Sequence, residues 1–285
     1  MQPRMRHRFT IAAGLLIGIA AMLPASSSVR AQGASGWETQ PHTAARLIAG
    51  STVKTAGAAY VRAGIEIKLD PGWKTYWRDP GDSGVPPTFD FSGSANLKSA
   101  AVLWPAPKRF PDGAGGNSIG YADHVILPLQ IVPDDATRQT SLRLKLGYAI
   151  CGNLCVPVEA NLKLALNGDG AASAAIEQAE LRVPRRVPLG PGRGLAILAV
   201  RREPGDAHGR VVVDVAAPAS APVELFVEGP TPDWSLPLPE PTGEHGATRQ
   251  FAFALDGLPA GADGATLTFT AVSGDDAIEV PVHLD

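Results

Sequence analysis

The sequence predicts an all-β protein built as two β-sandwiches in tandem, joined by a short helix and a Pro-rich segment. Three observations carry this. Gly and Pro number 31 and 26 in 285 residues, a turn density that argues against a helical bundle. Apolar stretches of strand length recur between Gly, Pro and Asp turn signals along most of the chain. Hydrophobic residues make up 45% and charged residues 19%, an ordinary globular balance that excludes wholesale disorder.

The N-terminus comes first. Arg4, Arg6, His7 and Arg8 form a basic patch, Phe9 to Leu23 is an uncharged apolar run, and Val29-Arg30-Ala31 offers small residues for cleavage. Residues 1–31 therefore read as a secretory signal peptide, too short and too weakly flanked for a spanning helix. That leader holds four Arg and no acids, which leaves 21 basic against 28 acidic residues and a net charge of −7. A mildly acidic exported protein has no electrostatic case for nucleic acid as a partner. The expected location is the bacterial periplasm, an oxidising compartment in which two Cys pair.

A first strand-rich segment follows, with candidate strands at 43–53, 58–69, 87–91, 97–103, 124–132, 140–149 and 155–166. Between them, WPAPKRFPDGAGGNSIGY (104–121) is so rich in Pro and Gly that it reads as a long loop. Residues 171–182 (AASAAIEQAELR) favour a short helix, and VPRRVPLGPGRG (183–194) reads as a semi-rigid linker. A second sandwich is expected over 195–285, with strands at 195–201, 210–215, 222–228, 249–255, 265–272 and 277–284.

Chemistry concentrates in LRLKLGYAICGNLCVPVEANLKLAL (142–166). Both arms alternate with period 2, the mark of paired strands with one buried face. Gly152-Asn153-Leu154 between them supplies a tight turn. Cys151 and Cys155 then lie close enough to bridge, and they fall in step with the polar positions, so both sulfurs belong on the outer face. A five-residue loop closed by a disulfide gains only about 2 kcal/mol in the chain-entropy model. That is a weak staple for a protein of this size, and an accessible bridge suits thiol–disulfide exchange. A static hairpin disulfide remains the alternative, as does a copper-handling or adaptor protein, since soft thiolates suit Cu(I).

Other candidates carry less. His42, His124, His208, His245 and His283 are scattered, so no metal site is expected; no cofactor is expected either. GAGGNS (113–118) lacks the Lys-Ser/Thr of a phosphate loop. Trp73, Tyr76, Trp77 and Trp104 suit core or cap packing better than a carbohydrate platform.

Four separated motifs, GWKTYWRDPGDSGVPPTFDF (72–91), WPAP (104–107) with RF (109–110), GYADHVILPL (120–129) and YAICGNLCVPVEANL (148–162), resemble the N-terminal periplasmic domain family of the thiol:disulfide interchange protein DsbD, in its ScsB-like variant. The resemblance implies an immunoglobulin-like redox domain over about 37–168. The expected architecture is then two immunoglobulin-like β-sandwich domains in tandem, with 169–194 as helix and linker. It implies that Cys151 and Cys155 are the redox pair, that Arg109, Phe110 and Gly113 belong to a cap over the sulfurs with Tyr121 following, and that Tyr76 and Trp77 lie near them. It also implies a protein-disulfide reductase component. Its expected partners are a thioredoxin-like or membrane-embedded electron donor on a separate chain and a periplasmic disulfide-containing acceptor. Three residues separate the pair here, as in ScsB-like relatives, where the best-known members have five.

Overall fold

The computed structural model describes residues 33–54, 59–113, 115–168, 170–204, 209–218, 221–231, 234, 236–255 and 264–284. The expected signal peptide lies outside these residues. Among them, no helix is long and apolar enough to cross a membrane.

The chain is mostly β. In order it forms β1 (Glu38–Gln40), β2 (Thr43–Lys54), β3 (Ala59–Leu69), β4 (Lys74–Gly81), β5 (Thr88–Asp90), β6 (Ser99–Val102), β7 (Lys108–Pro111), β8 (Asn117–Ala122), β9 (His124–Val132), β10 (Thr140–Cys151) and β11 (Cys155–Leu166). After α1 (Ser173–Glu180) come β12 (Arg185–Arg186), β13 (Ala196–Glu203), β14 (Arg210–Ala216), β15 (Glu224–Glu228), β16 (Glu240–His245), β17 (Thr248–Ala254), β18 (Thr266–Ser273) and β19 (Asp276–His283).

Four sheets result. One is ordered β1-β2-β3-β9-β6; a second runs β11-β10-β4-β8-β7, with β5 also on β10; the others are β12-β19-β18-β15 and β13-β14-β17-β16. The first two share one core, in which Leu47, Ile65, Leu127 and Leu129 meet Leu142, Leu144, Ile150 and Trp77. The last two share another, around Val213, Phe251, Phe253, Phe269 and Val280. In β10 and β11 the buried positions alternate with exposed Arg143, Lys145, Glu159, Asn161 and Lys163, as period-2 strands with one wet face require.

Several stretches depart from the sequence expectation, β1 and β16 among them, which lie outside every candidate strand. The supposed long loop 104–121 contains β7 and most of β8. Pro111 is tolerated there because β7 is an edge strand, where a missing N–H costs no ladder bond. β4 was hidden by its own Pro80-Gly81 turn signal. The supposed linker is pinned at its start, where Arg185 and Arg186 pair in parallel with Ile278 and Glu279 of β19. The short helix is present, and it docks Ile176 and Ala179 on Ile48 and Ile126.

The second half of the chain also enters the first core, through Phe226 and Leu238. Beside them Arg78 of β4 donates from Nε to Glu228 Oε1 and from Nη2 to Glu228 Oε2 and Glu279 Oε2, all at 2.7 Å.

Candidate functional site

Strands β10 and β11 pair in unbroken register from Thr140↔Leu166 to Cys151↔Cys155. The two Cys are thus directly opposite at the hairpin tip. They form a disulfide with the Cα atoms 4.1 Å apart, slightly closer than the usual bridged range of about 4.4–6.8 Å. Cys155 is exposed and Cys151 partly so. The outer-face placement follows from parity, since the neighbouring Ile150 and Val158 are buried.

On its other side Cys151 pairs with Lys74 of β4, and Ile150 with Thr75. Tyr76 shares the face of Lys74, and its hydroxyl donates to Cys155 Sγ at 3.3 Å. Burial pushes the Tyr76 phenol above its usual pKa, so it stays protonated wherever a thiol titrates.

Phe110 lies on this face too. Its strand partner is Ser118, and the Lys74 ammonium sits 5.7 Å from its ring centroid while donating to Pro111 O at 3.3 Å. Gly113 turns the chain between β7 and β8 with φ +81°, a backbone shape that suits Gly.

The remaining expected site residues face away from the sulfurs. Arg109 pairs with core residue Ile119; its guanidinium donates to Glu240 Oε1 at 2.6 Å and to Pro239 O at 2.9 Å. The Tyr121 hydroxyl is buried and donates to Pro105 O at 2.8 Å. Trp77 is fully buried against Phe226, centroids 5.9 Å apart. Trp104 packs edge-on against Phe89, so the aromatic residues weighed as a platform do not share one surface.

Two features escaped the sequence reading. The segment after β4 folds back over Tyr76: a Cβ on Gly84 would stand 2.7 Å from Tyr76 Cδ1 and Cε1. It is tied to the β7–β8 turn by Ser83 Oγ donating to Asp112 Oδ2 at 2.9 Å, and by Asn117 N donating to Asp82 Oδ2 at 2.9 Å. On the other flank Trp73 lies against Gly152 of the Cys turn and stacks on His42, ring centroids 4.2 Å apart. His42 Nδ1 is held 3.0 Å from Asp70 Oδ2. Only the Asp-Ser-Gly and Pro-Gly turn signals flanking β4 hinted at either contact.

The sequence profile of the N-terminal region of the thiol:disulfide interchange protein DsbD matches residues 44–167, the span that carries both Cys. These residues belong to the DsbD N-terminal family. The crystal structure of the N-terminal periplasmic domain of ScsB from Proteus mirabilis is similar in fold, with TM-score 0.69 and 23% identity, over 88% of this chain and 98% of that one. No curated protein sequence matches the chain. The fold likeness extends beyond the DsbD N-terminal region into the second pair of sheets, because the profile ends at 167 while the structural match takes in most of the chain. Among the described residues no cluster of three or more His, Cys, Asp or Glu is placed to hold a metal.

Proposed function

We propose that the protein carries out thiol–disulfide exchange through Cys151 and Cys155, relaying reducing equivalents in the bacterial periplasm from a thioredoxin-like or membrane-embedded donor on a separate chain to a disulfide-containing acceptor. The observation that carries this reading is the exposed position of Cys155 on the outer face of the sheet, beside a protonated Tyr76 hydroxyl. Membership of the DsbD N-terminal family supports the chemistry. The four sheets are read as two immunoglobulin-like sandwiches, 37–168 and 195–285; two buried clusters support that division, with Phe226 and Leu238 of the second half packing into the first.

In the cycle a donor thiolate attacks Cys155 Sγ; the Cys151–Cys155 bond breaks, and Cys151 leaves as a thiolate that takes up a proton. The donor's second thiol loses its proton and attacks the donor sulfur of the mixed disulfide. The products are an oxidised donor and a dithiol, two electrons and two protons having moved. In the dithiol the Tyr76 O–H stabilises a Cys155 thiolate, which attacks the acceptor by the same sequence in reverse.

The test is a titration of the oxidised protein in glutathione and dithiothreitol buffers with thiols trapped by a maleimide mass tag. A potential above about −300 mV, with reduction by a thioredoxin-like donor, is expected. A lower potential with no exchange would make the bridge a structural staple and end the proposal.

A further inference from the structure

The turn that joins the two Cys is braced from outside the hairpin. Trp73 precedes β4 and lies against Gly152 of that turn: a Cβ there would stand 3.1 Å from Trp73 Cε2, 3.2 Å from Cδ2 and 3.4 Å from Cζ2. Glycine lets the indole come this close to the turn backbone. The same indole carries His42, stacked on it with ring centroids 4.2 Å and planes 10° apart. Trp73 is partly buried and packs on the first core.

Both rings are anchored to Asp70. His42 Nδ1 donates to Asp70 Oδ2, and Asp70 N donates to His42 O, each at 3.0 Å. Trp73 N donates to Asp70 O, also at 3.0 Å. His42 further takes a left-handed backbone, φ +66°, a conformation that non-Gly residues keep only where their surroundings hold it. The β1–β2 and β3–β4 turns thus meet in a fixed pair of stacked rings against the Cys turn.

We propose that Trp73, seated by His42 and Asp70, is a positioning residue that keeps the Cys turn closed after the bridge is reduced, and so sets how readily the dithiol closes again. While the bridge is intact, the covalent bond holds the turn. Once it is broken, Gly152-Asn153-Leu154 gains backbone freedom, most of all at the glycine. The indole against Gly152 limits that freedom and keeps one thiol near the other, which raises their effective concentration. Closure passes two electrons and two protons from the thiols to an acceptor disulfide, which becomes two thiols. A turn already held loses less entropy in that step, so the braced pair is the stronger reductant. Trp73 acts on the sulfurs through the turn and takes no part in bond exchange. The proposal rests on the exchange activity of the Cys pair.

The test equilibrates the full chain with dithiothreitol buffers of graded thiol-to-disulfide ratio and traps thiols with a maleimide mass tag. Trp73→Ala is expected to lower the equilibrium constant for bridge closure about tenfold, a potential about 30 mV less negative. His42→Ala keeps the indole and removes the ring stacked on it, with an expected fall of about threefold. Trp73→Phe restores most of the wild-type value. Trp104→Ala truncates an indole that packs on Phe89 and the same core; as the control it stays within about 1.5-fold of wild type. Linkage supplies a second readout: in urea, Trp73→Ala should lose more stability in the oxidised protein than in the reduced one, by the same tenfold ratio in folding constant, about 1.4 kcal/mol. Unshifted potentials in Trp73→Ala and His42→Ala, or equal losses in the two redox forms, would make Trp73 packing alone and overturn the brace. So would a shift in Trp104→Ala as large as that in Trp73→Ala. If Trp73→Ala does not fold, His42→Ala decides, since the His42 side chain is about half exposed. A wild-type bridge that dithiothreitol opens but no thioredoxin-like donor reduces would end the exchange reading instead, and the potentials would still report on the brace.

Discussion

The Tyr76 hydroxyl donates to Cys155 Sγ at 3.3 Å, although the two residues lie 79 positions apart and on strands separated in the sheet by β10. Once the bridge is reduced, this O–H is placed to donate to the Cys155 thiolate. Tyr76→Phe removes the donor and keeps the ring. A partly exposed hydrogen bond of this kind is worth about 1 kcal/mol, so the Cys155 pKa is expected to rise by about 0.7 and alkylation of the reduced protein at neutral pH to slow roughly fivefold. The check is the pH profile of iodoacetamide labelling. An unshifted profile would show that the contact is packing alone.

The unequal exposure of the two Cys sets an order of attack. Cys155 is open to solvent, while Cys151 is half covered between β11 and β4. Cys151→Ser should therefore leave a Cys155 thiol that accumulates a stable mixed disulfide with an oxidised partner, because no second thiol resolves it. Cys155→Ser should yield several-fold less adduct. Non-reducing gels with mass-spectrometric mapping of the linked peptides decide the matter, and the opposite yields would reverse the order.

How much of this was legible follows from where each signal resides. β10 and β11 could be read because a period-2 pattern with one dry face is local, and the outer-face position of both Cys followed from parity alone. β7 and β8 could not, because Pro105, Pro107, Pro111 and the glycines from 113 onward dominate their composition. The pairing of Lys108–Pro111 with Asn117–Gly120, and of β8 with β4, overrides that propensity. Likewise, the family resemblance implied that Arg109 belongs to the cap, yet the register that pairs it with Ile119 turns it to Glu240. Contacts such as Gly84 on Tyr76, or Trp73 between His42 and Gly152, depend on how a loop returns to the sheet, which no short window of sequence records.

Acid is expected to act on two carboxylates in opposite senses. Burial raises the Glu66 pKa, but hydrogen bonds from Arg46 at 2.6 Å and His124 at 2.9 Å, with their charges, outweigh it, and the net shift is downward. Its stabilisation is present above the ordinary carboxylate range and is lost as the pH falls through the lowered value. For Glu228 burial outweighs Arg78 and the net shift is upward. Its titration contributes stability that is full below the ordinary value and is lost as the pH rises through the raised one. Urea unfolding across about pH 3–7 should show Glu66→Gln with a shallower acid loss than wild type, and Glu228→Gln without the decline on the rising side. Identical pH profiles for both variants and wild type would contradict these assignments.

Gly84→Ala tests the loop that covers Tyr76. The new methyl would stand 2.5 Å from Pro80 Cβ and 2.7 Å from two ring carbons of Tyr76, so either the loop or the ring must move. The overpacking cost is about 1–2 kcal/mol. Reduction by dithiothreitol is expected to speed up several-fold, because the loop no longer seats on the ring beside Cys155. A slower reaction would place the loop among the elements that aid attack.

Arg78 is the joint between the strand that carries Tyr76 and the second half of the chain. Its guanidinium binds Glu228 with two nitrogens and shares Nη2 with Glu279, and it lies over the Trp77 ring at 4.5 Å. Arg78→Met keeps the apolar stem but leaves two largely buried carboxylates without their cation. Breaking a fully buried pair costs about 3–5 kcal/mol; with Arg78 about a quarter exposed the expected loss is nearer 2–3 kcal/mol. Adding Glu228→Gln and Glu279→Gln to Arg78→Met should recover more than half of it, since most of the penalty belongs to the stranded charges rather than to the lost bonds. Chemical denaturation of the single and triple variants measures both quantities. If the triple variant is no more stable than Arg78→Met, the guanidinium acts through packing on Trp77 and not as a counter-charge.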